Sequence, residues 1–237
     1  MAEALSRCDG ALDAVFNNGA FALPGAVEDL GRDALDAIFQ VNLYGPHEVA
    51  RLAVRAMRKR GRGRIVNCSS AAGFTALPFG GAYTATKHAL EGLTDCLRIE
   101  LRHTPITVSL IEPGPIRGTT IYIKGRAQHD RWIDSARSVW RRHYEETMEP
   151  RLSGSDPARD PFERGVRAVI TRLIHALESP RPRARYFVTG TAHLAWWFRF
   201  LLPVRVNDHL AAKRFGPRRP PGTTSSPGRS REQRRGR

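Results

Sequence analysis

Apolar and polar positions along the chain follow two periods. Leu12–Phe16, Arg64–Ser69, Ile106–Ile111 and Arg185–Val188 are short and mostly apolar, and they read as strands of a buried sheet. Between them, apolar residues recur at steps of three and four. Leu35, Ile38, Phe39, Leu43, Leu52 and Met57 predict a helix over Asp33–Lys59, bent or divided at Gly45-Pro46 and ended at Gly61. Leu90, Leu93, Leu97 and Leu101 draw one stripe along a helix over Ala82–His103. Helical spacing also covers Arg126–Met148, Phe162–Leu177 and a short piece over Leu194–Leu202. Asn17-Asn18-Gly19-Ala20 closes the first strand in a tight turn, Pro113-Gly114 stops the third, and Ser153–Pro161 is a polar loop. Strands that alternate with long helices predict an α/β fold, a parallel sheet of about four strands with helices on both faces.

Size and charge narrow this picture. A chain of 237 residues, 41% hydrophobic, suits one domain with a sizeable core, placed here at residues 1–210. The net charge of +15 is uneven: Lys213–Arg237 holds nine Lys or Arg and one Glu. Residues 211–237, rich in Pro, Gly, Ser and Arg, read as a solvated tail without a core, so the charge argues for no specific nucleic-acid partner. Cys8, Cys68 and Cys96 give neither a disulfide framework nor the spacing of a metal site, and they fit a reducing, cytoplasmic setting. Met1–Gly10 lacks the pattern of a signal peptide. The apolar stretch Ala192–Val206 is interrupted by Arg199, Pro203 and Arg205, and is too short to be a transmembrane segment.

The candidate chemistry lies mid-chain. Tyr83 and Lys87 are four apart, so on a helix both side chains leave one face. Chance would give roughly 0.08 such pairs in a chain of this composition. Ser70 lies thirteen positions earlier, at the end of a strand, and Asn42 lies in the preceding helix. A free phenol, pKa ~10, is a poor base at neutral pH, and a nearby ammonium is expected to lower that value. Tyr83 could then move a proton to or from an alcohol oxygen that Ser70 holds, with the hydride passing to a cofactor.

At these residues the chain resembles the short-chain dehydrogenase/reductase family, closely from Leu12 to Gly114 and more loosely to Leu202. The resemblance implies a Rossmann-like doubly wound sheet, NAD or NADP as cofactor, and an alcohol or ketone substrate. It identifies Tyr83 as acid/base, Ser70 rather than Ser69 as the substrate-holding serine, and Lys87 as the lysine that also binds the nicotinamide ribose. Asn42 takes the place of an asparagine that holds a water in a proton relay. Asn17 and Gly19 match a turn beside the cofactor, with the order of Gly19 and Ala20 exchanged relative to the family. Pro113 and Gly114 match the turn against the nicotinamide, and the backbone of Ile116 would meet its carboxamide. Gly118 stands where the family often has Thr.

The family begins with a strand, a Gly-rich turn and a helix that receives the pyrophosphate. Eleven residues precede Leu12, so the resemblance implies a chain that starts at the family's fourth strand, an N-terminally truncated domain. Three explanations are open, a later-than-true start, a degraded remnant, and pairing with another chain that supplies the front half, and the first is favoured. A catalytically inactive remnant, or an interaction protein without dinucleotide binding, is the alternative. Phe74, Leu77, Phe79, Ile121, Tyr122, Trp132 and Trp140 fall in regions that border the family's substrate pocket. They suit a steroid-, retinoid- or lipid-like alcohol or ketone. Family dimers form through helices that here are Asp33–Lys59 and Ala82–His103, which implies a homo-oligomer.

Overall fold

In a computed structural model, residues 11–153 and 161–216 are described, together with Glu3 and Ser6. The expected tail from 217 onward, most of the polar loop (154–160) and Cys8 lie outside the described residues.

Four parallel strands form the sheet, in the order β1-β2-β3-β6: β1 Ala14–Asn17, β2 Gly63–Cys68, β3 Ile106–Glu112 and β6 Arg185–Phe187. Val15 pairs with Ile65, Ile65 with Val108, and Ile111 with Tyr186. Two residues of β4 (Ile116–Arg117) pair with two of β5 (Arg164–Gly165) beyond the turn after β3. Among the described residues β1 is paired along one edge only.

The pleat sends alternate side chains to opposite faces. On one face Ile65 and Val108 join Ala50, Ala53 and Met57 from helix α2 (Gly45–Arg60) and Leu101, the residue after helix α3 (Gly81–Glu100). On the other, Val66, Ile111 and Tyr186 meet Ala176 of the helix Val166–Glu178, called α5 below. This is the double cover that the uninterrupted apolar runs require.

The expected helix over Asp33–Lys59 is α1 (Arg32–Phe39) continued through a π turn, Gln40–Tyr44, into α2. Pro46 follows the π turn directly, and the wider turn before it accommodates a residue that cannot donate to the helical ladder. Gly61 closes α2 in the left-handed region, φ +72°.

Two expected elements are corrected. The leucine stripe of α3 is not one buried face: Leu90 is buried, Leu101 is buried just past the helix end, and Leu93 is 44% exposed. The buried side instead carries Thr86, Lys87, Glu91 and Thr94. The helix expected over Arg126–Met148 is broken. Helix α4 runs over Ile121–Trp132, and Ile133 then turns extended to bury its side chain against Gly25. Ser135 anchors the bend by a 2.7 Å hydrogen bond to His129 Nε2, and helical turns resume only at Arg141.

The chain closes with α6 (Gly190–Leu201) and α7 (Val204–Phe215), separated at Leu202-Pro203. No helix among the described residues is long and apolar enough to cross a membrane.

Candidate active site

The site is built at the carboxyl ends of β2 and β3. The ladder between them runs on into the loops: Ser69 N–H donates to Ile111 O and Ala71 N–H to Pro113 O, each at 2.8 Å. Ser70 and the Pro113-Gly114 turn are thereby held side by side. Ser70 caps the short turn Ala71–Gly73, its Oγ accepting from Ala72 N at 3.2 Å. Helix α3 brings the Tyr83 phenol across the loop to the same side chain, near enough for the Ser70 hydroxyl to act on its titration. Ser69 points away, donating to Glu91 Oε1 at 2.7 Å, so the strand's two serines are told apart by geometry.

Lys87, one turn beyond Tyr83, is 3% exposed. Its Nζ donates to Cys68 O at 2.8 Å and lies over the Tyr83 ring, 5.6 Å from the centroid. This corrects the expectation that the ammonium lowers the phenol's pKa. Burial pushes Tyr83 above the ordinary value, against the opposing influence of the Ser70 side chain, and Lys87 gives its hydrogen bond to a carbonyl. Burial also lowers the Lys87 pKa, opposed by the charges of Cys68 and Glu91.

Asn42 lies in the π turn, fully buried. Its amide donates to Phe21 O (2.9 Å) and Thr86 Oγ1 (3.2 Å), and its Oδ1 accepts from Phe21 N–H (3.0 Å). Both amide hydrogens and Oδ1 are therefore engaged by the protein. The side chain clamps the segment after β1 to α3, and the wider turn of the π helix aims it there.

Asn17, at the end of β1, donates to Pro46 O (3.3 Å) and Asn67 Oδ1 (2.8 Å), and Asn67 passes the chain on to Thr94 at 2.9 Å. Gly19 is exposed, with open space where a Cβ would stand. Ile116 is buried in β4, and a side chain on Gly114 would strike Thr189 Oγ1. Gly118 has φ +80°, which a threonine would adopt only under strain, so the residue type follows from the backbone.

Of the aromatics, Phe74 is 3% exposed and packs edge-on against Phe187 and Trp196, as core. Phe79 holds a left-handed backbone, φ 59°, and its ring stacks on His143 and meets Trp140 and Tyr144. Tyr122 is close enough to Tyr83 to act on its titration. A cleft of about 340 Å³ opens among Asp13, Arg62, Arg64, Pro105 and Leu177, at the amino ends of the strands. Ligands of open α/β sheets bind at the other end, where Ser70 and Tyr83 are.

The sequence reading missed a buried charge cluster beneath the serine loop. Arg185 of β6 donates to Glu91 Oε2 (2.9 Å), to Asp95 Oδ2 (2.7 Å) and to Glu112 Oε1, and it lies 4.8 Å over the Trp196 ring. Glu112 is fully buried, and its Oε2 has no hydrogen-bond partner. Burial, with Glu91 adding repulsion, pushes its pKa up to about 8 despite Arg185. A signal was present: Tyr83, Lys87, Glu91 and Asp95 form one row at four-residue steps along α3. Gly73 lets the serine loop lie on this cluster, since a Cβ there would fall on Glu91 Oε1 and within 2.5 Å of Ser69 Oγ.

Residues 1–130 match the short chain dehydrogenase family. An uncharacterized oxidoreductase of Escherichia coli K12 is 34% identical over 208 residues, which cover 88% of this chain and 70% of that protein. Human 17-beta-hydroxysteroid dehydrogenase type 1 is 31% identical over 201 residues, 84% of this chain and 58% of that enzyme. The crystal structure of a short-chain dehydrogenase from Streptomyces avermitilis aligns with a TM-score of 0.64 at 25% identity, covering 90% of this chain and 70% of that one. The fold is shared with 4-hydroxyisoleucine dehydrogenase complexed with NADH (TM-score 0.57, 21% identity, 79% and 71% covered). It is also shared with a Burkholderia cenocepacia short chain dehydrogenase in complex with NADP (0.61, 20%, 90% and 74%).

Proposed function

Because the chain belongs to the short-chain dehydrogenase/reductase family, we propose that it moves a hydride between NAD(P) and an alcohol or ketone, with Tyr83 handling the proton. One observation carries this reading: the Ser70 hydroxyl and the Tyr83 phenol come together at the carboxyl end of the sheet, with the Lys87 ammonium over the same ring.

Lys87 supports a nicotinamide nucleotide as the cofactor. A buried ammonium has three N–H groups, and Cys68 O takes one of them. Ribose hydroxyls suit the others. The Pro113-Gly114 turn and the Ile116 backbone would lie against the nicotinamide, and Asn17 and Gly19 would border the nucleotide. When bound, the nicotinamide accepts or supplies the hydride.

The chain's own residues handle the oxygen. Ser70 holds the carbonyl oxygen of a ketone, and Tyr83 donates a proton to it. In the reverse direction Tyr83 takes the proton from the alcohol. With burial raising its pKa, the phenol is neutral at pH 7, the state needed for donation. Asn42 positions the surrounding loop through Phe21 and Thr86. The rings of Phe79 and Trp140, packed with Tyr83 against one apolar cluster, and of Tyr122 beside Tyr83 suit an apolar substrate. The likeness to a 17-beta-hydroxysteroid dehydrogenase supports a steroid- or lipid-like class.

The test is direct. Titration of the chain with NADH and NADPH, read by fluorescence, should show one of them binding. Tyr83→Phe should cut carbonyl reduction by at least ~100-fold while cofactor affinity stays within about threefold. Substantial turnover by that variant would remove Tyr83 from the proton step.

A further inference from the structure

Helix α6 carries an apolar stripe that the fold turns outward. Leu194, Trp197, Phe198 and Leu201 stand at i, i+3, i+4 and i+7, one face of a helix, and all four are exposed. The opposite face does the packing: Ala192 is fully buried, Trp196 meets Phe74 and Phe187, and Arg199 donates to Phe74 O at 2.9 Å. At the corner into α7 the exposure rises, with Phe200 at 63%, Leu201 at 69% and Val204 at 74%. Asn207 donates to Phe198 O and Leu202 O at 3.1 and 3.2 Å, which fixes α7 against α6. Val206 and Leu210 of α7 are exposed as well. A run of this kind on a single hairpin exceeds the scattered apolar residues of an ordinary surface.

Charge selects the occupant. Besides Arg199, the hairpin itself carries Arg205, Lys213 and Arg214 against Asp208, and residues 217–237, which follow it and lie outside the described residues, add seven Arg against Glu232. A second copy meeting this surface about a twofold axis would set cation against cation. A nucleic acid would answer the charge but leave the apolar stripe in water. A bilayer surface with anionic headgroups answers both: Trp and Phe enter the boundary between headgroups and acyl chains, and basic residues meet the phosphates.

We infer that the α6–α7 hairpin docks on the surface of an anionic phospholipid bilayer. The docking is peripheral, because neither helix is long enough to span. It needs no hydride chemistry, and it stands or falls apart from the reaction proposed for Tyr83.

Flotation of the full chain with phosphatidylcholine vesicles, with and without phosphatidylglycerol, tests this. The chain should float with the anionic vesicles and stay behind with the neutral ones. Trp197→Ser combined with Leu201→Ser should lower that binding at least ~10-fold. Both side chains face solvent, so the variant keeps its fold. Three results would overturn the inference. The chain could ignore anionic vesicles. It could bind them equally with and without the double substitution, which would assign binding to the basic tail alone. Or it could self-associate through this face, seen as a dimer in sedimentation that the double variant loses.

Discussion

The Lys87 ammonium sits over the Tyr83 ring and gives a 2.8 Å hydrogen bond to Cys68 O, while the phenol lies beside Ser70. Desolvation therefore governs both titrations, raising the tyrosine and lowering the lysine. Glu112 shows the same balance with a measurable consequence. Its pKa in the folded chain is about 8, against 4.5 for an ordinary glutamate. The folded chain keeps this proton after the unfolded chain has released it. Stability should therefore fall as pH rises from 4.5 toward 8 and level off above 8, by up to ~5 kcal/mol. Glu112→Gln, which keeps an oxygen for Arg185 and cannot ionise, should flatten that slope in denaturant melts taken across the interval. An unchanged slope would mean that Glu112 is ionised in the native state. None of this was legible from residue types. Glu112 reads as one polar residue at the end of a strand, and its environment comes from Arg185, seventy-three positions away.

At the scale of elements, sequence pattern served strands better than helices. Continuous apolar runs mark buried parallel strands, and all four are found within one or two residues of their expected ends. Helix α3 misled because its stripe of leucines is not its buried face. The fold buries the polar row that begins with Tyr83 and compensates each member with a partner, as Lys87 with Cys68 O and Glu91 with Ser69 and Arg185. Leu93 and Ile99 are left at the surface, 44% and 58% exposed. An oligomer formed through α3, as the family resemblance implies, would cover them. Leu93→Asp should then shift the chain toward monomer in sedimentation velocity, with little change in its melting temperature. Helix α4 was misjudged for a different reason. Ile133 leaves helical geometry because a core site by Leu23 and Gly25 takes its side chain, a gain that spacing along the chain does not encode.

Across the whole molecule, the family was readable because its chemistry is concentrated in few positions. Ser70, Tyr83 and Lys87 converge at one end of the sheet, as their order and spacing required. The charge cluster beneath them draws on β3, α3 and β6, so only folding assembles it. The apolar hairpin at the C-terminal end was equally hidden, because a stripe of hydrophobic residues looks the same whether it faces the core or the water.

Gly73 links the visible half of the site to the hidden half. Its backbone rests on Glu91 and Ser69 with room for a hydrogen atom and no more. Gly73→Ala alone should cost roughly 1–3 kcal/mol in unfolding experiments and misplace Ser70. The same alanine should be much better tolerated beside Glu91→Ala, and additive costs in that double-mutant cycle would contradict the close fit. Evolution faces the same arithmetic: a lineage that loses the glycine must make room at Glu91 and Ser69 as well.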